Sequence, residues 1–237
     1  MCLRDRFDYI IYCPSNITPH RSKITLNKVD EAIDWFKKSP KGIHTLVTYP
    51  DLTMLRKIYL QYVKTQLEDR NEIVLILPYY ETTDAVRLAL SGEVDTYNGN
   101  KFGYSKTDVR KYERDASLII MDSLKGYFPP GKWSSNDNTK DGNLDFISYL
   151  DVLIKQAERQ GKNGVTVLSD LGSFHHLESG TRKLVEYEQS LPITYEGRNL
   201  KGFCLYHQKD FERRFSEEQQ ASLLECHSQN IILNNVN

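Results

Sequence analysis

Apolar positions in this chain recur with two different periods, and the two alternate from Gly42 onward. Ile43-His44-Thr45-Leu46-Val47-Thr48-Tyr49 is a β-rich run closed by Pro50-Asp51, and Asp51 can cap a helix. In the residues that follow, Leu52, Leu55, Tyr59, Tyr62 or Val63, and Leu67 recur at helical spacing and form one stripe. Ile73 to Leu77 is almost continuously apolar, the pattern of a strand covered on both faces. Thr83 to Leu90 reads as a short helix ended by Gly92, and Ser117 to Asp122 as the next buried strand. Leu144, Ile147, Leu150, Ile154 and Ala157 mark a long helix that stops at Gly161. Val165 to Asp170 is again a strand, and it precedes a Leu184, Tyr187, Leu191 helix that Pro192 is expected to end. Gly202 to Tyr206 predicts a strand, Phe211 to about Cys226 one helix, and Asn230 to Leu233 a terminal strand.

Before Gly42 the pattern is thinner. Tyr9-Ile10-Ile11-Tyr12-Cys13 is a short strand candidate stopped by Pro14, and Val29, Ile33 and Phe36 place a helix at about Asn27 to Lys38. Residues 1–41 are therefore read as an extension packed on the core, and residues 42–237 as one domain. Strands of buried type alternating with helices call for an α/β fold: a mainly parallel sheet flanked by helices, three layers in all. One polar stretch, Pro129 to Asn143, is either a functional loop or a surface excursion.

Composition narrows the function classes. At 237 residues the chain can bury a sizeable core, and 27% charged residues is an ordinary share for a folded protein. The hydrophobic share, 39%, is low partly because fifteen tyrosines count as polar on hydropathy scales while burying most of their rings. A net charge of −1 supplies no field to gather nucleic acid or anionic lipid, so neither is expected as a partner. No apolar run is long enough to span a bilayer, and the charged start does not resemble a signal peptide. Cys2, Cys13, Cys204 and Cys226 share no metal-type spacing, so a cytoplasmic protein with reduced thiols is expected.

In a parallel sheet, ligands bind beyond the carboxyl ends of the strands. Those ends deliver Tyr49 and Asp51; Tyr79, Tyr80 and Glu81; Asp122 and Ser123; and Asp170, Ser173, His175 and His176. Three tyrosines, four carboxylates and two histidines suit a pocket for a small, partly apolar ligand, or else tyrosines capping a core with their hydroxyls in water. Leu118-Ile119-Ile120-Met121-Asp122 has the form of a Walker B strand. Its necessary partner, a glycine-rich phosphate loop, is missing: the turn after Tyr49 has no glycine, and Asp51 would repel a phosphate there. His175-His176-x-Glu178 lacks metal-type spacing, Asp170-Leu171-Gly172-Ser173-Phe174 lacks the second glycine of a nucleophile elbow, and no helix-turn-helix is found. His44 and His227 read as structural, and Lys101 to Arg114 as a solvated helical face. No catalytic residue, metal or cofactor is expected.

Several of these segments resemble one family. Gly42 to Tyr49, the following helix and Ile73 to Leu77 look like the opening of MEDS domains, named for methanogens, methylotrophs and the DcmR regulator. Leu184-Val185-Glu186-Tyr187-Glu188, then Cys204-Leu205-Tyr206, then His227 before Ile231 follow the family's closing L-x-x-Y-E, C-x-Y and H-x-x-x-I pattern. The resemblance covers about Gly42 to Leu233, and Glu186, Tyr187, Glu188 and Cys204 read as structural within it. It implies a divergent relative of the RecA and KaiC type that serves as a sensory module for small organic ligands. Family members are often joined to a DNA-binding or kinase partner. With no such output segment in the sequence, signalling through a protein partner or self-association is the expectation. A degenerate nucleotide-binding protein using Asp122 and Asp170, and an assembly protein, are the alternatives.

Overall fold

The structure, a computed structural model, describes residues 23–92, 106–128 and 141–234. The strand expected at Tyr9 to Cys13, Lys101, and residues 129–140 of the expected loop lie outside the described residues. Among the described residues, seven strands form one sheet: β1 (Lys23–Leu26), β2 (Ile43–Tyr49), β3 (Ile73–Leu77), β4 (Leu118–Ile120), β5 (Val165–Asp170), β6 (Leu200–His207) and β7 (Gln229–Leu233). Their order is β1-β7-β2-β6-β5-β3-β4, and every pairing is parallel.

Among the described residues, nine α-helices cover the two faces: α1 (Val29–Lys38), α2 (Leu52–Glu68), α3 (Thr83–Ser91), α4 (Val109–Arg114), α5 (Ser123–Tyr127), α6 (Asp141–Arg159), α7 (Gly180–Tyr195), α8 (Gln208–Arg214) and α9 (Glu217–Cys226). The strand order dictates which face each takes. From β1 to β4 the chain moves in one direction across the sheet, and from β4 to β7 it returns. Crossovers between parallel strands are right-handed, so reversing direction moves the helices to the other face. Accordingly α1 to α4 share one buried cluster, with Phe36, Ile58, Tyr62, Val86 and Tyr112. The opposite cluster takes Tyr127, Leu150, Leu184, Phe211 and Leu223 from α5 to α9. Residues along β3 divide by alternation: Val74 and Ile76 face the first cluster, Ile73, Leu75 and Leu77 the second.

Several elements differ from the sequence expectation. β1 and its pairing with β7 were not anticipated; four residues of half-exposed pattern carry too little periodicity to stand out. β4 is confined to three residues, because Asp122 turns away to cap α5. Pro192 does not end α7, which runs on to Tyr195. A proline in the last turns removes a single intrahelical bond, and Leu191 and Tyr195, both buried, hold the turn in place. The helix expected over Phe211 to Cys226 is two, α8 and α9, divided at Phe215-Ser216, where Ser216 and Gln219 form a capping box. α6 begins at Asp141, inside the stretch read as loop. Among the described residues, no helix is long and apolar enough to cross a membrane.

One polar group lies deep between α2 and the sheet. Lys201 Nζ is 3.2 Å from Glu72 and donates to Gln66 at 2.8 Å, while the Thr166 hydroxyl donates to Glu72 at 2.6 Å; all four are buried.

Candidate functional site

Reversal of direction also creates the site. Beyond their carboxyl ends, β2 and β3 lead into helices on one face, while β6 and β5, lying between them, lead to the other. Neighbouring chains therefore part on either side of the β6–β5 pair and leave a crevice. It is walled by Leu52, Leu55, Val86, Leu168 and Leu205, with Tyr59, Tyr79, Tyr80, Glu81 and Asp170 supplying the polar edges. The crevice opens to solvent.

Asp170, at the end of β5, is the polar centre of the crevice. Tyr49 extends from β2 and donates its hydroxyl to Asp170 Oδ2 at 2.7 Å, and the Gly172 backbone N–H donates to Oδ1 at 3.0 Å. Burial drives the Asp170 carboxyl up to about 7; these two hydrogen bonds oppose the rise, while the charges of Glu81 and Asp210 add to it. At neutral pH this carboxyl thus stands near half protonation, a buried group able to accept or give a proton. Tyr49 is pushed upward by burial and by the same carboxyl, and stays a phenol.

Glu81, after β3, accepts from Arg56 Nε at 2.8 Å and from the Tyr59 hydroxyl at 3.0 Å. Tyr79 and Tyr80 meet edge to face at 4.7 Å. The Tyr80 hydroxyl donates to Asp210 on α8, and Tyr79 hydrogen-bonds His176 Nε2 at 2.8 Å. Gly172 is what admits the Tyr79 ring: a Cβ at that position would overlap it. Gly172→Ala is expected to cost about 1–3 kcal/mol and to displace Tyr79 from His176. Urea unfolding and the His176 imidazole signal in NMR check this, and an unmoved imidazole signal would refute it.

The remaining sequence candidates do different work. Asp51 caps α2, accepting from the Met54 N–H at 2.9 Å, and Asp122 caps α5 through the Lys125 N–H at 3.2 Å. Ser123 and Ser173 are buried and hydrogen-bonded to each other at 2.8 Å; Ser123 also donates to the Asp170 carbonyl. His175 lies partly buried against the Phe215 ring, its basicity lowered by burial and then by Arg214, whereas the exposed His176 faces Tyr79. The two histidines face different neighbours, Phe215 and Tyr79. Tyr49, Tyr79, Tyr80, Glu81 and Asp170 thus come together, whereas Asp51, Asp122, Ser123 and Ser173 serve as caps and supports.

Sequence reading missed Arg56, Tyr59, His207 and Asp210. Arg56 and Tyr59 sit on α2, where Tyr59 was assigned to an apolar stripe. His207 ends β6 and Asp210 follows it, at a carboxyl end that carried the same signal as the other four. The His207 ring packs against Tyr49 and Tyr80, with both centroid separations 5.4 Å.

A model of the methanogen/methylotroph, DcmR sensory domain family matches residues 43–228. No curated protein matches the chain in sequence. Among solved structures, a KaiC-like protein from the hyperthermophilic archaeon Pyrococcus horikoshii OT3 is similar at 14% identity and a TM-score of 0.50, over 84% of this chain and 76% of that one. An uncharacterized protein from Pyrococcus horikoshii, crystallised with an unknown peptide, is similar at 13% identity and a TM-score of 0.55, over 84% of this chain and 80% of that one. At such identities the likeness establishes the fold, which is of the KaiC-like, RecA-like type.

Proposed function

Because the chain belongs to the methanogen/methylotroph, DcmR sensory domain family, we propose that it is a non-catalytic sensory module. It takes a small organic ligand into the crevice at the carboxyl ends of β2, β3, β5 and β6, and it signals through a protein partner. The observation that carries this reading is at the turn from β2 to α2. In a phosphate-binding relative of this fold, backbone N–H groups at that helix start would hold an anion. In this chain Asp51 puts its own carboxylate there.

The surrounding charge points the same way. Glu81 and Asp170 line the crevice, Asp210 stands behind Tyr80, and Arg56 is engaged by Glu81. A phosphate would meet repulsion from several sides, while a neutral or cationic, partly apolar molecule would find leucine walls and tyrosine hydroxyls. The enclosed space is only about 20 Å³, room for a water molecule. Ligand entry therefore requires Tyr79 and Tyr80 to swing outward, and that movement, passed through the Tyr80–Asp210 hydrogen bond to α8, is a route to a partner surface.

Thermal-shift measurements on the full chain test this, using short-chain alcohols, aldehydes and amines beside ATP with Mg²⁺. An organic binder at about 100 times its Kd adds roughly 2.7 kcal/mol, which raises Tm by roughly 5–10 °C for a chain of this size. ATP with Mg²⁺ is expected to leave Tm unchanged. A shift with ATP and Mg²⁺ alongside silence from every organic would replace this reading with a nucleotide-binding one.

A further inference from the structure

Near the amino ends of β2 and β7, at the opposite edge of the sheet from the crevice, four side chains with donor atoms meet in the core. His44 on β2, Glu188 on α7, and Cys226 and His227 at the end of α9 each bring one donor atom within 4.8 Å of the other three. Both histidines and Glu188 are completely buried, and Cys226 is partly so. Glu188 Oε2 lies 3.1 Å from His227 Nε2 and 3.6 Å from His44 Nε2. Donors held about 2.0–2.3 Å from a tetrahedral ion stand roughly 3.3–3.7 Å from one another. The 3.6 Å separation falls in that range and the 3.1 Å one just short of it.

Two further observations point to a ligand between them. His227 Nδ1 is 2.6 Å from the Leu223 carbonyl oxygen, and since a carbonyl only accepts, Nδ1 carries the hydrogen. Burial opposes a charge on His227, but the Glu188 carboxylate beside it raises its basicity well above the ordinary histidine range, so Nε2 carries a proton toward Glu188 and a bound ion would take that proton's place. A backbone carbonyl fixing one ring nitrogen so that the other can bind a metal is the usual second layer of a histidine–metal site. Moreover, Glu188 Oε1 is buried with no well-aligned hydrogen bond among the described residues. A buried polar atom left unsatisfied is costly, and an ion beside it would satisfy it.

We propose that His44, Glu188 and His227, completed by the Cys226 thiolate, form a binding site for a divalent transition metal of the zinc class. Two imidazoles, one carboxylate and one thiolate are a borderline-soft set of the kind zinc takes. The two anionic ligands neutralise the ion, which permits it in a low-dielectric interior. Binding displaces the Cys226 thiol proton and the His227 Nε2 proton to solvent, so uptake weakens as pH falls. Cys204 on β6 stands outside the ligand set and donates its thiol to Glu188 Oε2 at 3.5 Å. Such an ion would tie β2 to α7 and to the α9–β7 junction, three segments remote in sequence.

The full chain, stripped with EDTA and then equilibrated with Zn²⁺, is expected to hold one ion per chain by elemental analysis and to gain thermal stability. With Co²⁺ it should develop the visible bands of a tetrahedral site and a near-ultraviolet thiolate charge-transfer band. Cys226→Ser should keep the visible bands and lose the thiolate band. Glu188→Gln and His227→Ala should weaken binding on the order of 100-fold or more, as loss of a direct ligand exceeds loss of its support. A folded chain that takes up no stoichiometric Zn²⁺ and gives no Co²⁺ spectrum overturns the proposal and leaves a buried histidine–glutamate ion pair. Undiminished binding in both Glu188→Gln and His227→Ala would equally overturn it, by placing the ion elsewhere.

Discussion

Lys201→Met is expected to destabilise the fold by about 3–5 kcal/mol, the cost of stranding one member of a buried ion pair. Lys201 is 4% exposed and Glu72 3%, so neither has water to fall back on. Methionine matches the volume of lysine, which leaves charge as the main change. Once Lys201 is gone, Glu72 keeps only the Thr166 hydroxyl among its side-chain partners described above, and Gln66 loses the donor to its carbonyl. For a chain of this length such a loss lowers Tm by roughly 6–20 °C. Adding Glu72→Gln to Lys201→Met should recover much of it, because replacing a buried pair outright is close to neutral. Urea denaturation of both single variants and the double variant checks the pair. A loss below about 1 kcal/mol for Lys201→Met would mean that the pair is solvated.

The second large effect belongs to Asp170 and depends on pH. Its carboxyl sits at about 7 in the native chain, against an ordinary value of 3.8, chiefly because of burial. The native state therefore holds the proton more tightly than the unfolded chain does. Between these two values unfolding releases a proton, so stability falls as pH rises through the window and levels off above about 7. Asp170→Asn keeps an oxygen for the Gly172 N–H and an amide to donate to the Tyr49 hydroxyl, and it removes the charge. The variant is expected to match the parent near pH 4 and to exceed it by about 1–4 kcal/mol near pH 8. Unfolding curves at a series of pH values decide it. A parent whose stability rises from about pH 4 to pH 7 at Asp170's expense, or a variant that tracks it in parallel, would show that the carboxyl is already ionised in the fold.

Much of the architecture was legible because hydrophobic period reports local geometry directly. Ile73 to Leu77 could hardly be other than a strand covered on both sides, and the Leu52 to Leu67 stripe could only be a helix lying on a sheet. Elements with little burial or with competing signals were harder. β1 has two half-buried residues and nothing to mark it, and Pro192 reads as a terminator until the packing of Tyr195 is known.

The crevice was partly legible for a topological reason. Carboxyl ends of parallel strands share one edge, so Tyr49, Tyr79, Glu81 and Asp170 could be grouped without knowing strand order. Which of them would touch could not be read. Tyr49 reaches Asp170 only because β6 alone separates β2 from β5. The same ignorance hid Asp210, which meets Tyr80 from a helix 130 residues further along. It also hid the histidine–glutamate–cysteine cluster. His44, Glu188 and His227 have no local spacing, and each alone passes for a structural residue; β2, β7 and α7 bring them together.

By itself, the sequence determined the alternation of strands and helices, the parallel sheet with both faces covered, and the absence of a glycine-rich phosphate loop. Each of these follows from a short window, where period and residue type are enough. The tertiary structure alone decided which strand ends meet, that Asp170 is buried deeply enough to titrate near neutrality, and that four potential metal ligands share one point. Contact and burial depend on the order of strands and the direction of crossing, which are properties of the whole chain and leave no trace in any one segment of it.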